Sequence, residues 1–218
     1  MKNVIKTYGG EVMKDIYTIG YSGFKVNDLV KMLKKYEITS LIDVRSNPNS
    51  KYYEDYNKVN IRKLLKQHDI VYRNYKNEFG ARQEDLNYYT NGYLDFNKYT
   101  KSNSFLDGVK KVKEGMDMNY TFAFMCAEKD PSACHRTIMV TREFHKLGYH
   151  IKNILENGKY ETQENIEQKL VEHYFPKRNQ ISLLQDDMSW DEMVKKSYEY
   201  RNSEIGYRKD EQSKVNIL

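Results

Sequence analysis

Three features of this 218-residue sequence predict an α/β fold: a three-layer, mostly parallel sheet of about five strands with helices on both faces, Rossmann-like or flavodoxin-like. Short apolar runs at 17–19, 39–44, 70–73, 120–126 and 149–154 have the length and the β-branched or aromatic content of strands. Stretches with helical periodicity separate them, which is the order that parallel strands require. The fourth run, Tyr-Thr-Phe-Ala-Phe-Met-Cys, carries no charge, the pattern of a strand buried on both faces.

From the amino terminus, residues 1–14 lack a periodic pattern, contain Gly9-Gly10 and read as a loose arm. The first strand ends in Gly20-Tyr21-Ser22-Gly23, after which Asn27 is the expected cap of a helix carrying Leu29, Val30, Met32 and Leu33 to Tyr36. Strand, glycine-bearing loop and helix in that order can present backbone N–H groups to an anion, or simply make a tight turn. In the second strand Asp43 and Arg45 bracket Val44 and so share one side, close enough to pair. Ser46 to Ser50 is loop. The next helix carries Ile61, Leu64, Leu65 and His68 inward, with Lys58, Arg62, Lys63 and Lys66 outside.

Residues 74–104 are the least regular part, an insertion expected to be a lid or a loosely packed excursion, with Glu78-Phe79-Gly80-Ala81-Arg82 at its start and many Tyr and Asn after it. Phe105 to Met116 is a predicted helix with Leu106, Val109 and Val112 inward. Beyond the fourth strand, Lys129-Asp130-Pro131-Ser132 is turn chemistry, and a helix from Arg136 to Leu147 stops at Gly148. The fifth strand alternates as if more exposed. Thr162 to Tyr174 is helical with Ile166, Leu170 and Val171 on one face, ended by Pro176. In the tail, Ser189 is a predicted cap, and Ile181, Leu183, Leu184, Trp190 and Met193 are the expected anchors. The chain thus divides into an arm (1–14), an α/β core (15–158, with the insertion at about 74–104) and a helical carboxyl-terminal extension (159–218).

With 36 Lys and Arg against 31 Asp and Glu the net charge is +5, a mild excess compatible with a polyanionic partner, and the 20 tyrosines include residues able to stack on bases. Two cysteines, no signal-peptide core and no long apolar run predict a soluble cytoplasmic protein with no structural disulfide and no membrane partner.

Four loops are expected at the carboxyl edge of the sheet, where ligands of open α/β folds bind: 21–23, 45–50, 78–82 and 126–136. A phosphatase-type nucleophile at Cys126 would need an arginine six positions on, and that residue is Ser132. A rhodanese-type persulfide loop is disfavoured by Asp130 and by Pro131, which lacks an N–H. As a thiol activated by His135 and a helix amino end, Cys126 or Cys134 is a candidate nucleophile; packing as a small buried hydrophobe is the plain alternative. The spacing of Cys126, Cys134 and His135 matches no common zinc pattern, so neither metal nor cofactor is expected, although these three are the residues that would hold a metal.

The reading of the residues is an enzyme acting on a nucleotide or nucleic-acid substrate. Cys126, His135, Asp43 and Glu128 are its candidate catalytic groups, and Tyr21, Ser22, Arg45, Arg82 and Arg136 its phosphate or anion contacts. The alternatives are a non-catalytic nucleic-acid-binding module using the Lys58–Lys66 helix and the tyrosine-rich insertion, and a partner-binding subunit using the Trp190 tail.

Tyr17 to Ser22, Leu41 to Pro48, Glu78-Phe79-Gly80 and Cys126-Ala127-Glu128 through Cys134-His135-Arg136 resemble, in order and spacing, the family known as domain of unknown function 488. The resemblance covers about residues 15–155. Members often carry His where this chain has Tyr21 and a second Gly where it has Ala81. The resemblance implies a bacterial or archaeal cytoplasmic α/β domain without an established activity, and it offers no reaction to carry over.

Overall fold

A computed structural model of the protein describes residues 14–176 and 188–209. In chain order its elements are β1 (Asp15–Gly20), α1 (Val26–Lys35), β2 (Ser40–Asp43), α2 (Lys58–Lys66), β3 (Val71–Asn74), α3 (Lys76–Phe79), β4 (Tyr89–Thr90), β5 (Tyr93–Leu94), α4 (Phe96–Tyr99) and α5 (Asn103–Asp117). Then come β6 (Phe122–Cys126), a π-helical turn (Arg136–Thr141) running into α6 (Arg142–Lys146), β7 (His150–Ile154), β8 (Tyr160–Thr162), α7 (Gln163–Tyr174) and α8 (Trp190–Ile205).

The main sheet has the order β3-β2-β6-β1-β7-β8, parallel throughout except for β8, which runs antiparallel to β7. The fold is therefore α/β with a six-stranded, mostly parallel sheet. Strand periodicity sorts its side chains into two cores. Ile16, Ile42, Phe122, Phe124 and Ile151 pack against Phe105 and Val112 of α5, Ile138 of the π turn, Phe144 of α6, and Ile166 and Leu170 of α7. On the opposite face Tyr17, Ile19, Leu41, Ala123 and Met125 meet Leu29 and Leu33 of α1 and Ile61 and Leu65 of α2. Fully burying one such aliphatic or aromatic side chain contributes about 1.5–3 kcal/mol, so both faces are strongly held.

The placement of the helices follows from handedness. From β1 to β2 to β3 the chain moves one way along the sheet, and right-handed crossovers put α1 and α2 on one face. It then returns to β6 and β7, which puts α5 and α6 on the other. The reversal leaves β6 between β1 and β2 with its outgoing loop turned to the opposite side from theirs, which makes its carboxyl end the topological switch point of the sheet.

Several expectations are corrected. Asn27 lies inside α1, not at its cap; the helix opens after Lys25, with no side-chain cap, because burial of Leu29, Val30 and Leu33 sets its register. In α5 Val112 is buried and Val109 partly buried as expected, but Leu106 is exposed and its neighbour Phe105 takes the inward place, with Met116 a turn further on. The segment 74–104 is neither lid nor loose excursion: Phe79, Leu94, Phe96 and Tyr99 are all core residues, and the Tyr99 hydroxyl donates to the carbonyls of Asn77 and Glu78 at 2.6 and 2.9 Å. The fifth strand is interior, since β8 covers its outer side. In α8, Ser189 caps as expected, accepting from the Glu192 N–H at 3.3 Å. Its buried anchors are Ser197, Tyr198 and Asn202, whereas Trp190 is 40% exposed. Residues 1–13 of the arm, and Ile181, Leu183 and Leu184, lie outside the described residues. Among the described residues no helix is long and apolar enough to cross a membrane.

Candidate functional site

The four loops expected at the carboxyl edge of the sheet do meet there. Ser22 N–H donates to the Ala127 carbonyl at 3.0 Å, tying the loop after β1 to the loop after β6. Arg82 N–H donates to Ser46 Oγ at 2.9 Å, joining the segment after β3 to the loop after β2. His135 Nε2 lies 3.1 Å from the Val44 carbonyl, which links the second and fourth of the loops.

Cys126 ends β6 with its side chain on the α5/α6 face, and Cys134 and His135 return to it after a short turn. That turn forms because Asp130 accepts from the Ser132 N–H and hydroxyl, each at 2.8 Å, while Pro131 supplies the fixed φ of its first position. Cys126 Sγ and Cys134 Sγ lie 3.8 and 4.0 Å from His135 Nδ1, and the three ligand atoms are all within 4.8 Å of one another. Both thiols are free and buried, and the imidazole is half-buried. Burial by itself would push the Cys134 thiol up, but a hydrogen bond with Cys126, the positive charge of Arg136 and the His135 ring beside it win and hold it well below the usual thiol range. Its partner Cys126, hydrogen-bonded to Cys134 and buried, is held well above that range.

The arginines have separate occupations. Arg136 is fully buried: its Nη1 donates to the Glu128 carbonyl at 2.5 Å, Nη2 to the Lys129 carbonyl at 3.4 Å and Nε to the Thr18 hydroxyl at 3.2 Å. It fastens the loop after β6 onto β1 and turns inward, away from any incoming phosphate. Arg45 grips Asp43 in a fork, Nε to Oδ1 at 2.9 Å and Nη2 to Oδ2 at 2.6 Å, and Nη2 also donates to the Tyr56 carbonyl at 2.7 Å. Burial opposes the charge on Arg45, yet the Asp43 carboxylate outweighs it and keeps the guanidinium firmly protonated. Its Nη1 is buried without a hydrogen-bond partner. Arg82 is exposed and lies over the Tyr207 ring, 5.0 Å from the centroid. The three guanidinium groups therefore each serve a different set of protein partners, and do not form the single clamp envisaged from the sequence.

Asp43 is fully enclosed. Besides Arg45 it accepts from the Tyr72 hydroxyl at 2.6 Å, a contact that only the β3–β2 pairing creates. Tyr21 is buried, stacked on Tyr56 at 4.3 Å between centroids, with Tyr53 edge-on at 5.4 Å and the Arg45 guanidinium 5.0 Å from its ring. Ser22 and Glu128 are exposed and line a shallow cleft. Sequence reasoning missed Tyr53, Tyr56 and Tyr72; their roles follow from strand order and loop closure, which leave no local signal.

A model of the family described as Domain of unknown function DUF488 matches residues 25–142. The chain belongs to that family. The match starts after the Tyr17–Ser22 motif and ends within α6, so it is narrower than the 15–155 expected from the resemblance, but it spans all of the Cys126–Arg136 loop of this DUF488 protein. No curated protein and no solved structure matches the chain.

Proposed function

We propose that this DUF488 protein is an enzyme acting on a phosphate-bearing substrate, a nucleotide or nucleic acid, at the carboxyl edge of its sheet. The observation that carries the reading is the convergence of both cysteines and His135 at the carboxyl end of β6, the switch point at which doubly wound sheets bind their ligands. In this reading the two sulfurs and the imidazole are the reacting centre, and exposed Glu128 and Ser22 are groups a substrate would meet. Asp43, Arg45 and Arg136 hold the frame from beneath. Arg82 is the arginine left to meet an anion.

The substrate class is supported by the surface around the α1/α2 side of the same edge. Lys58, Arg62, Lys63 and Lys66 are exposed on α2, which carries no acidic residue, and none of the four is ion-paired among the described residues. Just before this helix Tyr52 is 93% exposed and Tyr53 43% exposed, beside a cleft of about 630 Å³ that also holds Lys25 and Lys51. Cations on a helix with open aromatic rings at its start suit a polyanion whose bases stack. The tyrosines of 88–99 do not offer this, because they pack against the core and one another.

The test is to incubate full-length protein with short single-stranded oligonucleotides and nucleoside phosphates, and to follow both binding and mass change. Substrate should be altered by the wild type, bound but unaltered by Cys134→Ser, and not bound by the double variant Arg62→Glu with Lys66→Glu. Salt-dependent binding without any chemical change would favour the second reading, a nucleic-acid-binding module, which the unpaired face of α2 supports by itself.

A further inference from the structure

We infer that Cys126, Cys134 and His135 form a binding site for one thiophilic divalent cation of the zinc class, with three protein ligands and a fourth position open to solvent or substrate. The inference deepens the reading of this trio as the reacting centre, and rests on that reading only for the role of the ion.

The geometry is close to what such an ion requires. Sulfur ligands at about 2.3 Å and a nitrogen at about 2.0 Å on tetrahedral directions stand roughly 3.6 Å apart. Here the two sulfur-to-nitrogen separations are 3.8 and 4.0 Å and all three ligand atoms lie within 4.8 Å of one another, so side-chain shifts of no more than about 1 Å bring the set to those spacings. The chain need not rearrange, because β6 fixes Cys126 and the turn at Pro131–Ala133 fixes the approach of Cys134 and His135.

The second observation is the far side of the imidazole. His135 Nε2 faces the Val44 carbonyl at 3.1 Å, and a carbonyl can only accept, so Nε2 carries the proton. In the neutral ring the lone pair is then on Nδ1, the atom that faces both sulfurs. An outer hydrogen bond from the non-ligating nitrogen to a backbone carbonyl is how metal-binding histidines are oriented and made more basic.

Charge and ligand number agree with this. Two thiolates and a neutral imidazole balance a divalent cation, and thiol protons pass to solvent as the ion binds. Among the described residues no further His, Cys, Asp or Glu joins the group, so a tetrahedral ion would keep one position free. Three protein ligands and an exchangeable fourth is the arrangement of catalytic rather than structural zinc, and it supplies Lewis-acid activation of a bound water or substrate oxygen.

The experiment is a cobalt(II) titration of reduced, chelator-treated full-length protein under argon, followed by zinc(II) competition. The expected result is saturation at one cobalt per chain, with a thiolate-to-cobalt charge-transfer band and intense visible bands of tetrahedral coordination, all bleached by zinc. Cys134→Ser should halve the charge-transfer intensity and abolish tight binding. His135→Ala, a change at the half-buried rim that spares the core, should keep the thiolate band, alter the visible bands and weaken binding at least about tenfold. The inference is overturned if the wild type shows no charge-transfer band, if the cysteines oxidise to a disulfide in preference to binding cobalt, or if cobalt binding survives Cys126→Ser with Cys134→Ser. Oligonucleotide binding by the same samples separates the two proposals: cobalt bound with no effect of any nucleic acid or nucleotide keeps the metal site and sinks the substrate class, whereas nucleic-acid binding with no cobalt band does the reverse.

Discussion

The His135 imidazole and the Val44 carbonyl, 91 residues apart in sequence, face each other at 3.1 Å across the end of the sheet. The contact joins the loop after β6 to the end of β2 and leaves Nδ1 toward the sulfurs. It predicts a single neutral tautomer. In ¹⁵N-edited NMR spectra of the histidine side chains, recorded at alkaline pH where the ring is neutral, His135 should show protonated Nε2 and bare Nδ1. Rapid averaging between the two tautomers would show that the carbonyl does not hold the ring.

Arg136 is a structural guanidinium in the structure, and the consequence is large. Replacing it by methionine keeps much of the volume but leaves the Glu128 and Lys129 carbonyls and the Thr18 hydroxyl without their donor. Each buried unsatisfied group costs about 1–3 kcal/mol, so Arg136→Met should lower stability by roughly 3–5 kcal/mol. Arg136→Lys should recover only part, since one ammonium cannot span the same acceptors. Urea denaturation of the three proteins checks this; equal midpoints would mean that the loop carbonyls find water instead.

Much of this was legible before any coordinates. The uncharged run at 120–126 identified a strand buried on both faces and put Cys126 at its end, and the i, i+2 spacing of Asp43 and Arg45 gave their pairing. The helix cap at Ser189 follows from local side-chain chemistry alone. What escaped depends on distant partners. The Tyr72–Asp43 bond requires knowing that β3 pairs with β2, and the inward turn of Arg136 requires the carbonyls of a loop whose path the sequence does not reveal. In 74–104 the core residues Phe79, Phe96 and Tyr99 sit on elements of at most four residues, too short to show a period. The one-residue error in α5 has a similar origin, as Phe105 and Leu106 are both apolar and only the neighbours Phe79 and Tyr99 decide which is buried.

The Asp43 environment yields a paired prediction. Tyr72→Phe removes one donor from a fully buried carboxylate that keeps Arg45, and should cost about 1–3 kcal/mol. Asp43→Asn leaves the 5% exposed Arg45 guanidinium without its counter-charge and should cost more, about 3–5 kcal/mol. Thermal unfolding of both variants tests the ranking. A larger loss for Tyr72→Phe would mean that the hydroxyl, not the ion pair, anchors the end of β2.

Gly20 closes the argument about how the loop after β6 is held. A methyl group at this position would stand 1.8 Å from the Glu128 carbonyl oxygen and 3.1 Å from Arg136 Nη2. Neither neighbour can give way, because the carbonyl belongs to the backbone and Arg136 is clamped on it. Gly20→Ala should therefore push the loop off β1, break the Ser22 N–H bond to Ala127 and destabilise the fold by at least about 2 kcal/mol. The same displacement would part Cys134 and His135, carried by the loop, from Cys126, fixed in the strand. Cobalt binding should then weaken in Gly20→Ala even under conditions where the variant is fully folded by circular dichroism. Unaltered stability and unaltered cobalt spectra together would show that the loop can shift without disturbing the trio, and that the close packing of Gly20 against Glu128 does not govern the site.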